Sequence, residues 1–206
     1  MTFLFTVRRV PELIVRALSI LRIIPGHFHI NNTNKLNSVV VISFLSTYGN
    51  GDNMPSGYIG QTCFVTEGGE GQDCTALAES ITTCQAAGIK VILSLGGGNS
   101  YGYSLQSDAE AQQIGQYLWD AYANSGSTSV QRPFGDGVFV NGFDFDIEAN
   151  GGSSQYYPSM ISTLRSNFAS DPDNTYVRKH INCSWIIQPL KCSPAVYHWS
   201  TAMPHP

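Results

Sequence analysis

The sequence predicts an α/β fold that forms part of a (β/α)8 TIM barrel. Three apolar runs, at residues 39–45, 90–95 and 137–148, have the composition of buried parallel strands. A helical pattern, with apolar residues three or four positions apart, follows each run. Polar or glycine residues stand at the carboxyl end of each run, which is the end where such barrels place their active sites. The chain is therefore expected to contain three consecutive β/α units.

The three predicted helices cover residues 75–87, 108–123 and 154–169. Gly88 is predicted to end the first helix, because glycine tolerates the left-handed backbone that closes many helices. Ser107 is predicted to cap the second helix with its hydroxyl. Residues 47–62 are predicted to be a loop, since they contain two clusters of turn-forming residues.

The charge of the chain is divided unevenly along its length. The 206 residues carry a net charge of −4. Residues 36–176 hold three basic and fourteen acidic residues, whereas residues 1–35 have a net charge of +4 and residues 177–206 one of +3. This division predicts an atypical N-terminal segment (1–36), a central domain (37–176) and an atypical tail. We expect the two ends to be unrelated sequence, as mis-joined exons or a shifted frame would supply.

The basic ends suggest few binding or targeting roles. Residues 11–24 could form a basic amphipathic helix, which can lie on a membrane surface, but a short helix packed on its own protein is favoured. The basic ends lack interleaved aromatic and basic residues, so no nucleic-acid partner is predicted. Arg16 and Arg22 interrupt the apolar run at residues 10–24, which excludes an ordinary membrane span. A clean signal peptide is also missing, because Arg8 and Arg9 follow the first apolar residues instead of preceding them.

Cysteine positions predict one disulfide. Cys63 and Cys74 bracket a glycine-rich loop, and a bridge between them would hold a loop that has no core of its own. Such a bridge implies an oxidising compartment, and the alternative is two free thiols. No pair of cysteines has zinc-finger spacing, so no metal site is predicted.

The third predicted strand carries three acids on one face. Asp144, Asp146 and Glu148 alternate with apolar residues, so the acids share one side of the strand, spaced about 6.6 Å apart. Mutual repulsion predicts that at least one of them holds its proton to a higher pH than a free carboxylic acid. A protonated acid beside an ionised one is what acid-assisted cleavage of an acetal requires.

Two other interpretations of the acid triplet were weighed. A calcium loop is excluded, because Ala149 and Gln155 occupy the positions where that loop needs glycine and glutamate. A solvated strand face stays open as the alternative to a catalytic triplet. The apolar residues of the same strand must pack on something, which favours the catalytic interpretation.

A run of three glycines, Gly96 to Gly98, follows the second strand. It is not a dinucleotide-binding loop, since Tyr101 stands where the last glycine would be needed. The run either lets a ligand approach the backbone closely or forms a tight turn into the next helix. The sequence leaves both possibilities open.

Two motifs in this chain resemble those of family 18 glycoside hydrolases. They are LSLGGG at residues 93–98 and FDFDIE at residues 143–148. Segments 44–51, 83–90 and 117–120 are similar to the class III, hevamine-type endochitinases within that family. The resemblance covers roughly residues 39–174 and implies that the central domain is a partial catalytic domain containing barrel strands 2–4.

The resemblance implies a function and a role for each site residue. Glu148 would protonate the glycosidic oxygen of chitin or of N-acetylglucosamine oligosaccharides. Asp146 would orient the acetamido group of the substrate, and Asp144 would share a proton with Asp146. Gly97 and Gly98 would line the sugar-binding floor. The family needs no metal or cofactor, and its members imply an extracellular location.

Three departures from the family pattern leave alternatives. No fifth barrel strand is predicted after Asn174. The family's first strand is not visible in residues 1–35, and no counterparts of its aromatic residues on strands 6 and 8 are present. The alternatives are a non-catalytic chitin- or glycan-binding relative, an inactive fragment, and an endoglycosidase acting on N-glycans.

Overall fold

The computed structural model describes residues 39–51, 53–98, 102–148 and 154–171, together with the backbone of residues 176–181. The strands, in chain order, are β1 (Val39–Leu45), β2 (Thr47–Gly49), β3 (Asn53–Ile59), β4 (Cys63–Val65), β5 (Gly71–Gln72), β6 (Lys90–Gly96), β7 (Tyr103–Ser104), β8 (Gly142–Ile147) and β9 (Tyr176–Ile181). The helices are α1 (Thr75–Ala86), α2 (Asp108–Tyr122) and α3 (Tyr157–Phe168), with a 3-10 turn at Ser154–Tyr156.

The main sheet contains four parallel strands in the order β1-β6-β8-β9. Each pair of neighbouring strands is joined by a connection that contains one helix: α1 lies between β1 and β6, α2 between β6 and β8, and α3 between β8 and β9. Successive units of one strand and one helix, added in order to a parallel sheet, are the building plan of a (β/α) barrel. The predicted α/β fold, a partial TIM barrel, is confirmed.

The core lies between this sheet and its helices. Strand β6 is buried along almost its whole length, as a strand covered on both faces must be. The predicted apolar faces of α1 and α2 are both buried. Helices α2 and α3 pack closely, because Gly115 has no side chain to push them apart; a Cβ there would lie 2.9 Å from the carbonyl oxygen of Met160. Trp119 and Phe168 meet edge to face across the same contact, 5.0 Å between ring centroids.

The predicted helix ends match the structure. The Ser107 hydroxyl accepts a hydrogen bond from the Glu110 backbone N–H at 3.1 Å, which satisfies one of the free donors of the first turn of α2. Gly88 has a left-handed backbone (φ 77°) directly after α1. The third helix begins later than predicted, since Ser154–Tyr156 forms a 3-10 turn.

The strand that carries the acids is shorter than predicted, starting at Gly142 instead of residue 137. Asn141 explains the difference. Its side-chain oxygen accepts the Val91 N–H at 2.7 Å, and its own N–H donates to the Val91 carbonyl at 2.7 Å. The Gln85 side chain also donates to that oxygen, at 3.0 Å. Asn141 therefore bonds to Val91 of β6 through both its side chain and its backbone N–H, and regular strand pairing starts one residue later.

The prediction that residues 47–62 form a loop was wrong. They contain β2 and β3, which belong to a mixed five-stranded sheet in the order β5-β4-β3-β2-β7. Pro55 and Gly57 lie inside β3, and both are typical of turns. Gly57 is needed there because β3 crosses the end of β1; a Cβ at Gly57 would lie 2.8 Å from the carbonyl oxygen of Phe44.

The expectation that no strand follows Asn174 was also wrong. Residues Tyr176–Ile181 form β9, which pairs in parallel with β8 from Gly142↔Tyr176 to Ile147↔Ile181. Two basic residues and a histidine, at positions 178–180, interrupt the apolar run expected of a buried parallel strand, so sequence periodicity missed it. The predicted domain boundary at residue 176 falls on the first residue of this strand. The predicted N-terminal segment (1–36) and residues 182–206 of the predicted tail lie outside the described residues.

The predicted disulfide between Cys63 and Cys74 is present, with 4.2 Å between the α-carbons. It joins the start of β4 to the residue that precedes α1, and both half-cystines are buried. Cys84 on α1 is a free, buried cysteine, and burial raises the pKa of its thiol. No helix in the described parts of the chain is long and apolar enough to cross a membrane.

We expect removal of this disulfide to destabilise the domain. The double substitution Cys63→Ala, Cys74→Ala frees a loop with a sequence separation of 11 residues in the unfolded chain. The free energy of unfolding should fall by about 2–3 kcal/mol. Urea denaturation followed by tryptophan fluorescence measures the change, and the wild-type chain with reductant is the matched control. Superimposable curves for the variant and the oxidised wild type would contradict the prediction.

Candidate active site

Strand β8 delivers three acids to the carboxyl end of the main sheet, and their exposure increases along the strand. Asp144 is buried, with 6% of its surface exposed. Asp146 is partly buried, and Glu148, the residue directly after β8, is exposed. The apolar side chains that alternate with these acids, Phe143, Phe145 and Ile147, are buried in the core. The predicted alternation therefore holds, and the acids run from the interior to the surface.

Asp144 is held by a hydroxyl from the neighbouring strand. The Ser94 hydroxyl donates to Asp144 Oδ2 at 2.7 Å, and both residues are buried. They are register partners in the pairing of β6 with β8. Ser94 lies within the LSLGGG motif, whose local pattern indicates no role for it. The signal for its role was the strand register, which brings together residues that lie 50 positions apart.

Asp146 and Glu148 lie on the same side of the chain, and their side chains are hydrogen-bonded to each other. The pKa of Glu148 is raised above its ordinary value. The largest cause is loss of hydration against the surrounding protein, followed by the negative charge of Asp146 and the hydrogen bond to it. This agrees with the prediction that at least one acid of the triplet keeps its proton to higher pH.

The first two glycines of the run are required by packing. Gly96 has φ 106°, and a Cβ there would lie 2.1 Å from the carbonyl oxygen of Asp146. Gly97 has φ 80°, and a Cβ there would lie 3.1 Å from the ring of Phe44. The Gly97 N–H donates to the Asp146 carbonyl at 2.8 Å. Both glycines therefore form the turn by which the chain leaves β6.

Gly98 is the glycine that faces the acids. A Cβ on Gly98 would lie 3.9 Å from Glu148 Oε2. This is an ordinary contact distance, so the surface of Gly98 borders the Glu148 carboxyl group. Gly96 and Gly97 thus form the tight turn that the sequence left open as one possibility. Gly98 instead presents exposed backbone beside the Glu148 carboxyl group.

Sequence reasoning missed one further residue at this site. Tyr103, in β7, is buried with 3% of its surface exposed. Its hydroxyl donates to the Gly97 carbonyl at 2.8 Å and accepts the Glu148 backbone N–H at 3.0 Å. The sequence offers only a weak signal for this, an aromatic residue soon after a glycine run.

The arrangement is suited to acid catalysis. The Glu148 carboxyl group is exposed, its pKa is raised, and a second carboxyl group lies beside it, which favours a role as proton donor. Among the described residues, no group of three or more His, Cys, Asp or Glu side chains is placed to hold a metal ion. The three acids therefore lie at the carboxyl end of parallel β/α strands, where (β/α) barrels place their active sites.

The chain belongs to glycosyl hydrolases family 18, whose sequence model matches residues 20–205. It is 65% identical over 139 residues to Endochitinase 2 of Metarhizium robertsii, which covers 68% of this chain and 33% of the relative. It is 44% identical over 133 residues to an acidic endochitinase of Cicer arietinum, covering 65% of this chain and 41% of the relative. The chain thus spans between a third and two fifths of the length of these relatives.

Solved structures with the same fold include an enzyme and an inhibitor. The ICChI chitinase of Ipomoea carnea has a TM-score of 0.57 and 32% identity, covering 69% of this chain and 48% of that one. The xylanase and α-amylase inhibitor protein XAIP-II of Scadoxus multiflorus has a TM-score of 0.55 and 30% identity, covering 72% and 49%. The fold alone therefore does not decide between catalysis and binding.

We expect Gly96→Ala to be far more damaging than an alanine at another left-handed glycine. Gly126 has φ 66° with nothing within 4 Å of a Cβ, so Gly126→Ala should cost only about 1–2 kcal/mol of backbone strain. Gly96→Ala adds a collision with the Asp146 carbonyl, and the free energy of unfolding should fall by about 3–5 kcal/mol. Thermal melts of both variants test this. Equal melting temperatures would show that β6 and β8 do not approach as described.

Proposed function

We propose that this chain carries the acid–base centre of a chitinase, which hydrolyses β-1,4-linked N-acetylglucosamine polymers with retention of configuration. The observation that carries the proposal is the position of Glu148, an exposed acid at the carboxyl end of β8 that hydrogen-bonds to Asp146 and borders Gly98. The raised pKa of Glu148 supports it. Family membership and relatives named endochitinases support the substrate. Extracellular chitin is the proposed substrate source, which fits the disulfide.

In the first step, protonated Glu148 gives its proton to the glycosidic oxygen, and the bond from that oxygen to the anomeric carbon breaks. The nucleophile is the acetamido carbonyl oxygen of the substrate itself, which forms a bond to the anomeric carbon as the leaving group departs. This substrate-assisted route differs from the usual scheme with two carboxylates. In the second step the Glu148 carboxylate takes a proton from water, and that water attacks the anomeric carbon. The bond between the anomeric carbon and the acetamido oxygen breaks, which restores the acetamido group.

Asp146 is proposed to accept a hydrogen bond from the acetamido N–H and so to aim the carbonyl oxygen at the anomeric carbon. Asp144 is proposed to share a proton with Asp146. Ser94 supports this role, because its hydroxyl fixes the orientation of the Asp144 carboxyl group at 2.7 Å. The buried acid thus adjusts the charge of its neighbour without contacting the substrate.

Gly97 and Gly98 are proposed to form the sugar-binding floor. Gly98 borders the Glu148 carboxyl group and has no side chain, which leaves room for a sugar ring against the backbone. A bound sugar would displace water from Glu148. Since loss of hydration is already the largest cause of the raised pKa, substrate binding should raise it further and keep the acid protonated.

The substitution Glu148→Gln tests the role of the acid. It keeps the size of the side chain but removes the transferable proton, so kcat should fall by about 10²–10⁴-fold. Release of methylumbelliferone from a methylumbelliferyl chitotrioside measures kcat. Glu79→Gln, on the exposed surface of α1, is the matched control and should keep wild-type activity. Equal activity of the Glu148→Gln variant and the wild type would refute the proposed role.

A second candidate function is glycan binding without hydrolysis, which the structure of an inhibitor protein of the same fold in complex with trehalose favours. It predicts that the wild-type chain binds chitin oligosaccharides, measured by calorimetry, and releases no fluorophore. Comparison of chitin with an N-glycosylated protein as substrate separates chitinase activity from endoglycosidase activity on N-glycans.

The pH dependence of activity should change when the negative charge of Asp146 is removed. Glu148 acts in its protonated form, so activity falls as pH rises through its pKa. Asp146→Asn removes the negative charge that helps to raise this pKa, and the fall in residual activity should begin at a lower pH. The shift should be only part of the full pKa elevation, because the loss of hydration around Glu148 still raises its pKa. The pH profile of kcat measures it, and a shift to higher pH would contradict the assigned cause.

A further inference from the structure

We propose that Tyr103 is a positioning residue, which holds the main chain of Glu148 and thereby aims its carboxyl group. The proposal rests on the proposed function, because Glu148 is the acid of that reaction. Tyr103 does not belong to the acid triplet or to the glycine run. It reaches the site from β7, a two-residue strand at the edge of the mixed five-stranded sheet.

The hydroxyl of Tyr103 bridges the ends of two strands. It donates to the Gly97 carbonyl at 2.8 Å and accepts the Glu148 N–H at 3.0 Å. The direction of both bonds is fixed, because a carbonyl only accepts and an N–H only donates. Each bond polarises the hydroxyl in favour of the other. The Gly97 N–H completes the connection by donating to the Asp146 carbonyl at 2.8 Å.

The bridge begins where the regular pairing of the strands stops. Strands β6 and β8 are in register up to Gly96↔Asp146. One residue further on, the Gly97 N–H still donates directly to the Asp146 carbonyl, whereas Gly97 and Glu148 are connected through the Tyr103 hydroxyl. The hydroxyl therefore acts as a spacer that sets the distance between Gly97 and Glu148. Since Gly98 borders the Glu148 carboxyl group, this distance also sets the separation of the acid from the backbone beside it.

The ring of Tyr103 is held firmly enough to act as such a spacer. It stacks on Tyr48 with 5.2 Å between centroids and 13° between planes. The two residues are register partners in the pairing of β2 with β7. The Tyr48 hydroxyl forms a hydrogen bond of 2.8 Å with the hydroxyl of Tyr157, whose ring packs edge to face on Phe145 of β8. All of these rings are buried, so the hydroxyl of Tyr103 has little freedom to move.

A core tyrosine at another position provides the comparison. Tyr122, on α2, is as buried as Tyr103, and its hydroxyl makes no hydrogen bond within the part of the chain that the structure describes. Tyr122→Phe removes the same atom as Tyr103→Phe but leaves the strand ends untouched. The pair of variants separates the loss of a buried hydroxyl from the loss of this particular bridge.

The experiment measures kcat, KM and the pH profile of both variants on the methylumbelliferyl chitotrioside. Tyr103→Phe should lower kcat by about tenfold and leave KM within about twofold, since misplacement of a catalytic group affects the chemical step. Without the bridge, Glu148 separates from Asp146, and the alkaline fall in kcat should begin at a lower pH. Tyr122→Phe should match the wild type in all three. A variant Tyr103→Phe with wild-type kcat and pH profile would overturn the proposal.

A second measurement does not depend on turnover. Hydrogen exchange of the Glu148 backbone amide, followed by NMR, should be at least tenfold faster in Tyr103→Phe than in the wild type or in Tyr122→Phe. If the wild-type chain has no activity, the proposed function fails, and amide exchange alone decides the role of Tyr103. Unchanged exchange at Glu148, even with a lower melting temperature, would show that Tyr103 is only a core residue and would overturn the proposal.

Discussion

The close approach of β6 and β8 at their carboxyl ends is the constraint on which the site depends. Gly96 stands opposite Asp146 in the sheet, and its α-carbon lies so near the Asp146 carbonyl that a side chain would collide with it. Because glycine occupies this position, the two strands stay together to their ends. Asp146 therefore has two functions in the structure: its carbonyl joins the strands, and its carboxyl group belongs to the acid triplet.

The three acids of β8 lie at different depths below the surface, so similar side chains have different chemical environments. Asp144 lies in the interior, where a serine hydroxyl satisfies one of its oxygens. Glu148 lies at the surface, where the charge of Asp146 and partial loss of water raise its pKa. The increase in exposure from Asp144 to Glu148 thus separates the environments of the acids, as pairs of carboxyl groups require when each has a different role.

The sequence predicted those features that depend on local pattern. Strand β1 and the buried faces of α1 and α2 follow from the spacing of apolar residues. The shared face of the acids follows from the two-residue period of a strand. The Ser107 cap follows from the chemistry of its hydroxyl. In each case the information lies within a few positions of the residue concerned.

Features that depend on contacts between distant segments were not predictable in this way. The hydrogen bond from Ser94 to Asp144 depends on the register between two strands. The contacts of Tyr103 depend on the position of the mixed five-stranded sheet. Strand β3 was missed because Pro55 and Gly57 are typical of turns, although β3 needs a glycine where it crosses β1. Strand β9 was missed because its basic residues hide the apolar pattern, although the edge of β8 offers backbone partners for pairing.

The burial of Cys84 protects the bridge between Cys63 and Cys74. Thiol–disulfide exchange needs a thiolate that can reach a sulfur atom of the bridge. Burial raises the pKa of Cys84, so very little of it is ionised at neutral pH, and its position inside the core keeps it from attacking a neighbouring sulfur. Among the residues that the structure describes, Cys84 is the one free thiol, and it is unreactive. The Cys63–Cys74 disulfide is therefore not exchanged by it.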